Sequence, residues 1–325
     1  MAKSLAGQAP SERKDDRGAE ENENELEKLE PEAEKPYPSG SGPGALPELG
    51  QVERHQVAER VAISAAVVHE TVREEGEREL GRHPTALAWS SLAAGLSMGF
   101  SMVGMGLIQA ALPDTPWRPL LDSFGYSLGF LIVVLGRQQL FTENTLTVIL
   151  PLFAHPDVRT ILRVIRLWSI VLVGNLLGAF IFASIVAHTP LFSIAQQHTF
   201  LNLGLHALRG DFGLVVLRGV FAGWLIALMV WLLPAADAAK LQIIIILTYF
   251  IALGGFAHII AGSVDTLYGV SIGAITWPKY LGGFLAPTLI GNIVGGVSLV
   301  AFLNYAQVAA ETIGQRSGSR PKSQR

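Results

Sequence analysis

Five stretches of this chain, residues 86–112, 167–187, 219–236, 241–264 and 280–308, contain no Asp, Glu, Lys or Arg. A helix needs about 20 apolar residues to cross the hydrocarbon of a bilayer. Each run is therefore long enough, or nearly so. Within lipid every backbone N–H and C=O must find a partner inside the protein, which leaves helices and closed barrels as the spanning structures. Continuous apolar runs of this length read as helices. A sixth run, 123–136, is uncharged for only 14 residues, meets Arg137-Gln138-Gln139, and resumes as Leu140-Phe141-Thr142. It is read as a broken span. The expected fold class is an all-α membrane protein with six spans, the second and fifth interrupted. Half of the residues are hydrophobic and 16% are charged, which suits that class.

The two halves of the chain correspond. Gly174-Asn175-Leu176-Leu177-Gly178 lies in one apolar run, and Gly291-Asn292-Ile293-Val294-Gly295 lies in another 117 residues later. Thr142 follows the polar break in span two, and His258 follows the Gly254-Gly255 break in span five, 116 residues on. Matched broken helices in two halves are the sequence signature of a transporter or channel built from an inverted repeat, with the solute site at the breaks.

The first 48 residues belong to another regime. Between positions 12 and 35 stand eleven acidic and five basic residues, followed by a segment rich in Pro and Gly. Such a composition cannot bury a core, so 1–48 is expected to be a disordered acidic tail. Residues 49–83 turn helical, with Val57, Val61, Ala65 and Val68 among many charges. That segment reads as an amphipathic cytoplasmic helix, either solvated or lying beneath the membrane domain. Residues 84–308 form the expected pore domain, and 309–325 a basic tail. Arg159, Arg163, Arg166, Lys240 and the tail's Arg316, Arg320, Lys322 and Arg325 outnumber Arg118, Arg209, Arg218 and Lys279 on the other side. The positive-inside rule then puts both termini in the cytoplasm.

The chemistry of such a pore follows from electrostatics. Carrying a bare carboxylate-sized anion into a low dielectric costs about 20 kcal/mol in the idealised limit and several kcal/mol in real proteins. A weak acid avoids most of that cost by crossing protonated. An imidazole at membrane depth, with an ordinary pKa of about 6.5, can supply or relay the proton. His258 and Thr142 are the residues placed for this role, with Asn292 and Asn175 as further polar lining. The plainer alternatives are a packed histidine, a threonine holding a freed loop carbonyl, and asparagines bonding helix to helix. Arg137 and Glu143 are read as an ion pair that clamps the first break. The chain has no cysteine, which excludes disulfides and thiolate chemistry. No paired carboxylates, metal-ligand cluster or nucleophile–base pair lies in the spans. The reading is therefore of a non-enzyme without cofactor or metal.

Three motifs carry a resemblance. Leu135-Gly136-Arg137-Gln138-Gln139-Leu140-Phe141-Thr142 in span two, Gly255-Phe256-Ala257-His258 in span five, and Ala286-Pro287-Thr288-Leu289-Ile290-Gly291-Asn292-Ile293-Val294-Gly295-Gly296 in the last span resemble the formate/nitrite transporter family. Within it the chain is most similar to the bacterial branch with a long acidic N-terminal tail. The resemblance implies an aquaporin-like bundle of six helices, a homopentamer in the inner membrane, and a separate pore in each protomer. It implies a polar station of histidine, threonine and asparagine between two apolar constrictions, which by position involve Tyr126, Phe130, Leu140 and Ile251. The chain departs from the family pattern at Gln139, where an acid is usual, at Arg137, where a glycine is usual, and at Ala257, where many members have Glu. The loss of acids and gain of Arg137 is expected to make the path more attractive to anions. The expected partners are the bilayer, other copies of the chain and a small monovalent anion or its acid, with no nucleic acid. The alternatives are a neutral-solute pore of aquaporin type and a non-conducting scaffold or sensor.

Overall fold

The computed structural model describes residues 63–301. The tails 1–48 and 309–325, and the first part of the helix expected at 49–83, lie outside the described residues. The described chain opens with α1 (Ala65–Gly81), then α2 (Pro84–Ala111) and α3 (Arg118–Leu135). After a loop come the short α4 (Asn144–Thr147) and α5 (Ile149–Ala154), then α6 (Val158–His188) and α7 (Ile194–Ala207). The second half begins with α8 (Phe212–Leu232) and α9 (Lys240–Leu253). It continues with α10 (Ile259–Ser271), α11 (Trp277–Tyr280), a π-helical segment Leu281–Leu285, α12 (Ala286–Val294) and a π-helical stretch Gly295–Ala301. Among the described residues, five helical segments are long and apolar enough to cross a membrane: Pro84–Ala111, Arg118–Leu135, Val158–His188, Phe212–Ala235 and Trp277–Ser298.

The helices begin earlier than the uncharged runs because a first turn tolerates polar residues and proline. Pro84 stands at the start of α2, where its missing N–H costs nothing. Asp157, Asp211 and Ser193 cap α6, α8 and α7 by accepting from the N–H groups of Thr160, Leu214 and Gln196. The uncharged run 241–264 is not one helix. It is cut into α9 and α10, and α10 continues to Ser271, beyond the charge at Asp265. The last span is widened to π geometry just before Pro287, whose ring would collide with the carbonyl four residues earlier in a regular helix.

Close packing comes from small residues. α2 packs on α3 and α6, and α8 packs on α12. A Cβ at Gly95 would overlap the carbonyl oxygen of Asn175, and one at Gly178 would overlap that of Leu92. The second half repeats the device, with Gly223 against the backbone of Asn292 and Gly291 and Gly295 against the carbonyls of Val216 and Val220. Without a hydrophobic force between helices in lipid, this backbone proximity is a main source of association. At the helix flanking the bundle, α1 buries Val68, Val72, Gly76 and Leu80, a stripe at i, i+4 spacing, and Gly76 sits on the backbone of Thr147. Arg166 donates to the carbonyl of Leu80 at 2.8 Å and satisfies the end of α1.

Gly95→Val and Gly223→Val are each expected to wedge their helix pair apart, at about 1–3 kcal/mol for overpacking. Gly81→Ala, where an added Cβ meets nothing within 4 Å, is the control and should keep the wild-type melting temperature in detergent.

Candidate functional site

Both breaks are built the same way. α3 ends at Leu135, and the N–H groups of Arg137 and Gln138 turn back to the carbonyls of Val134 and Val133 at 3.1 and 2.9 Å. α9 ends at Leu253, and the N–H groups of Gly255 and Phe256 turn back to Ala252 and Ile251, both at 3.0 Å. This is the six-to-one, five-to-two pattern of a Schellman cap, which needs a residue in the left-handed region. Gly255 supplies it at φ 61° and Arg137 at φ 50°. Glycine takes that conformation freely, whereas arginine is strained there.

Beyond each cap the chain crosses the interior with backbone groups that no helix satisfies. One asparagine in each half serves them. Asn175 Oδ1 accepts from the N–H of Phe141 at 2.9 Å, and its Nδ2 donates to Gln139 O and Ser91 O, both at 2.8 Å. Asn292 Oδ1 accepts from the N–H of Ile259 at 2.9 Å, and its Nδ2 donates to Ala257 O at 2.8 Å and Gly219 O at 2.9 Å. Both side chains are fully buried. The carboxamides expected as pore lining hold the loop backbones. The caps and clamps also set the register of the repeat. Arg137 matches Gly255, Gln139 matches Ala257 and Phe141 matches Ile259, an offset of 118 by residue number. The offset of 116 read from Thr142 and His258 is two residues short, and the partner of His258 in the repeat is Leu140.

Thr142 and His258 nevertheless meet. Thr142 Oγ1 lies 2.8 Å from His258 Nε2, and both residues are buried. His258 Nδ1 accepts from the N–H of Ala261 at 3.2 Å, capping α10. A backbone N–H only donates, so in the neutral imidazole the proton stands on Nε2 and is given to Thr142 Oγ1. The Thr142 hydroxyl hydrogen is left to point elsewhere. Phe130 meets the His258 ring edge-on with centroids 4.9 Å apart, and Tyr126 lies 5.2 Å beyond Phe130. Tyr126, Phe130, Leu140 and Ile251 belong to one buried apolar cluster.

The expected clamp between Arg137 and Glu143 is not formed. Arg137 Nη2 instead pairs with Glu75 Oε1 of α1 at 2.8 Å, with the Arg137 side chain 80% exposed. The positive φ swings Arg137 outward from the loop. Glu143 Oε1 is buried with no hydrogen-bond partner among the described residues. Gln139, at the position of the missing acid, accepts from Asn144 Nδ2 at 3.0 Å. A cavity of about 550 Å³ opens on this side of the break, bordered by Glu75, Glu79, Arg137, Glu143 and Lys240. Sequence reading passed over Asp122 and Asp265, acids within α3 and α10. The signal available was helical spacing, since Asp265 stands two turns after His258.

Apolar helices around two facing breaks, joined by a buried threonine–histidine contact, define a membrane transporter or channel. The formate/nitrite transporter family model matches residues 66–306, and the chain belongs to that family. It is 41% identical over 268 residues to the inner membrane protein YfdC of Escherichia coli, covering 82% of this chain and 86% of that one. It is 25% identical over 234 residues to the formate channel BtFdhC of Bacillus thuringiensis, covering 66% of this chain and 87% of that one. Among solved structures it resembles a pentameric formate channel with formate bound, with a TM-score of 0.61, 22% identity, and 70% of this chain and 98% of that one covered. The aquaporin-like, all-α architecture expected from the sequence is the one found.

Arg137→Gly is expected to hold or raise the melting temperature. It relieves a left-handed strain of about 1–2 kcal/mol and loses an exposed ion pair worth about 0–1 kcal/mol. Arg137→Ala loses the pair and keeps the strain, so it should melt below the glycine variant.

Proposed function

We propose that the chain forms a homopentameric inner-membrane channel or transporter for small monovalent weak acids of the formate and nitrite type, with both termini in the cytoplasm. The contact between Thr142 and His258 carries this reading. It is a polar station set among Tyr126, Phe130, Leu140 and Ile251, which serve as the apolar constrictions. The names of the relatives and the bound formate of the structural neighbour support the solute class.

The station works on a solute that arrives as an anion. The free hydroxyl hydrogen of Thr142 is a donor for a carboxylate or nitrite oxygen. His258 acts from its imidazolium form, giving the Nε2 proton to the anion and returning to the neutral tautomer with the remaining proton on Nδ1. To re-form the bond from Ala261 N–H, that proton must move back to Nε2 or the ring must exchange it. Charging His258 therefore interrupts the cap of α10, which keeps the imidazolium transient. Once protonated at the station, the solute crosses the constriction beyond it as the neutral acid, where a bare anion pays the full desolvation cost.

His258→Phe is expected to remove formate flux while leaving the assembled protein intact, as measured by stopped-flow swelling of proteoliposomes. Thr142→Val keeps the shape and loses one hydrogen bond to a charged solute, about 1.5–3 kcal/mol, so flux should fall about tenfold to a hundredfold. Wild-type rates in the His258→Phe protein would overturn the relay.

A further inference from the structure

The outer surface of α2 and α6 carries a groove that the function described so far does not use. Its cavity measures about 500 Å³. Ala88, Trp89 and Leu92 border it on α2, and Ile170, Val173 and Leu177 border it on α6. The two helices run side by side in the same direction, with Gly174 against Ser91 and Gly178 against Leu92. Ala88 is the smallest of the six side chains, so the space beside Trp89 stays open. Trp89, Val173 and Leu177 are 73%, 65% and 50% exposed, which makes the walls apolar and open outward.

Arg159, Arg163 and Arg166 continue the α6 wall. Positions 159, 163, 166, 170, 173 and 177 follow one another in steps of four and three, which sets them in one stripe along the helix. The three arginines are exposed, and none forms an ion pair among the described residues. Arg166 donates to the carbonyl of Leu80 at 2.8 Å, which fixes its height beside the turn that joins α1 to α2. From Arg166 to Leu177 the stripe runs about 16 Å, about half the 30 Å hydrocarbon thickness of a bilayer. The apolar part therefore has the depth of one leaflet, with the arginines at headgroup depth. Trp89 on the facing wall suits the same boundary, where indoles are enriched. The positive-inside bias accounts for cations at this end of a span, but not for their alignment with a groove. Arg159, second in α6, also faces the positive end of the helix dipole, so an anion beside the stripe is favoured.

We propose that this groove and its arginines bind an anionic phospholipid, with the phosphate against the arginine stripe and one acyl chain laid between α2 and α6. The assignment rests on the chain's lying in a bilayer, not on which solute it passes. A guanidinium fork matches a phosphate in both geometry and charge. Basic clefts between spans are a recurrent form of headgroup site. Ser169, three residues after Arg166, borders the cavity and offers a hydroxyl at the depth of the glycerol esters. A zwitterionic lipid fills the groove equally well, but its ammonium opposes the arginines. A second copy of the chain would have to bring carboxylates to the stripe. The acids of α1 are already paired: Glu70 and Glu77 with Arg73, Glu74 with Arg78, Glu79 with Arg82 and Glu75 with Arg137. The acidic stretch 12–35 brings charge, but only Leu26 and Leu29 as large apolar side chains to fill the groove.

The test uses the full-length assembled protein in detergent, with phosphatidylglycerol and phosphatidylcholine of the same acyl chains, and counts retained lipid by native mass spectrometry. Wild-type protein should hold phosphatidylglycerol about tenfold more tightly than phosphatidylcholine. Arg159→Gln combined with Arg163→Gln should remove most of that preference, about tenfold. If the double variant does not assemble, Arg163→Gln alone should reduce the preference in the same direction. Ala88→Phe, which fills the groove from an exposed position, should weaken phosphatidylglycerol binding with the arginines in place. Glycerol 3-phosphate, which has the phosphate without the chains, should not displace the lipid at equal concentration. Equal retention of the two lipids by wild-type protein, an unchanged preference in the assembled arginine variant, or displacement by glycerol phosphate overturns the assignment. Variants that separate the protomers while leaving lipid retention intact make this face an interface between copies, and also overturn it. None of these readings depends on flux, so the outcome is distinct from failure of the channel reading.

Discussion

The carboxamides of Asn175 and Asn292 make the pore possible. A helix broken inside a bilayer exposes N–H and C=O groups, each of which costs several kcal/mol when unsatisfied in hydrocarbon. An asparagine answers both polarities from one side chain. Each one accepts from a loop N–H, donates to a loop carbonyl, and donates again to a carbonyl of the neighbouring helix. The third bond ties the loop to α2 in the first half and to α8 in the second. The glycines at 95 and 223 are part of the same device, because only without a Cβ can those helices come near enough for the bond to form. Removing an asparagine would leave two or three buried groups without partners, a larger loss than one hydrogen bond.

Much of this was legible. The uncharged runs located the spanning helices, and the paired Gly-Asn-x-x-Gly segments located the two clamps before their role was visible. The break at Gly254-Gly255 was readable because two glycines interrupt an otherwise apolar run. What the sequence could not supply was the function of the amide groups. An asparagine between glycines in a membrane helix reads both as pore lining and as glue, and its bonds to the returning loop appear only in the folded chain. The pairing of Arg137 was hidden for a similar reason. Arg137 and Glu143 are near in sequence, but the left-handed turn at 137 sends the guanidinium to Glu75, 62 residues away. Asp265 was missed because the uncharged run ends at Val264, and a span was taken to end with it.

The charges beside the first break also differ from what counting residues suggested. The replacement of family acids by Gln139 and Ala257, and of a glycine by Arg137, pointed to a path that attracts anions. The guanidinium is instead paired on the exterior of the loop, and Glu75, Glu79 and Glu143 border the same cavity as Lys240. The mixed charge there gives Arg137 no exclusive hold on an anion.

The scaffold is repeated but the site is not. The caps and the loop groups that the asparagines hold match across the halves at an offset of 118, and the asparagines themselves at 117, so backbone geometry alone would give two equivalent breaks. At the positions that the repeat pairs, one half places Leu140 and the other His258. Thr142, two residues beyond Leu140, reaches across to the histidine. A symmetrical pair of histidines would set two titratable groups face to face, where each would oppose the charging of the other. A symmetrical pair of leucines would leave no titratable group at either paired position. The single imidazole is held at Nδ1 by its own helix and at Nε2 by a hydroxyl from the other half, so its orientation is fixed by both breaks. The repeat supplies the rigid frame, and the departure from it places one imidazole against one hydroxyl.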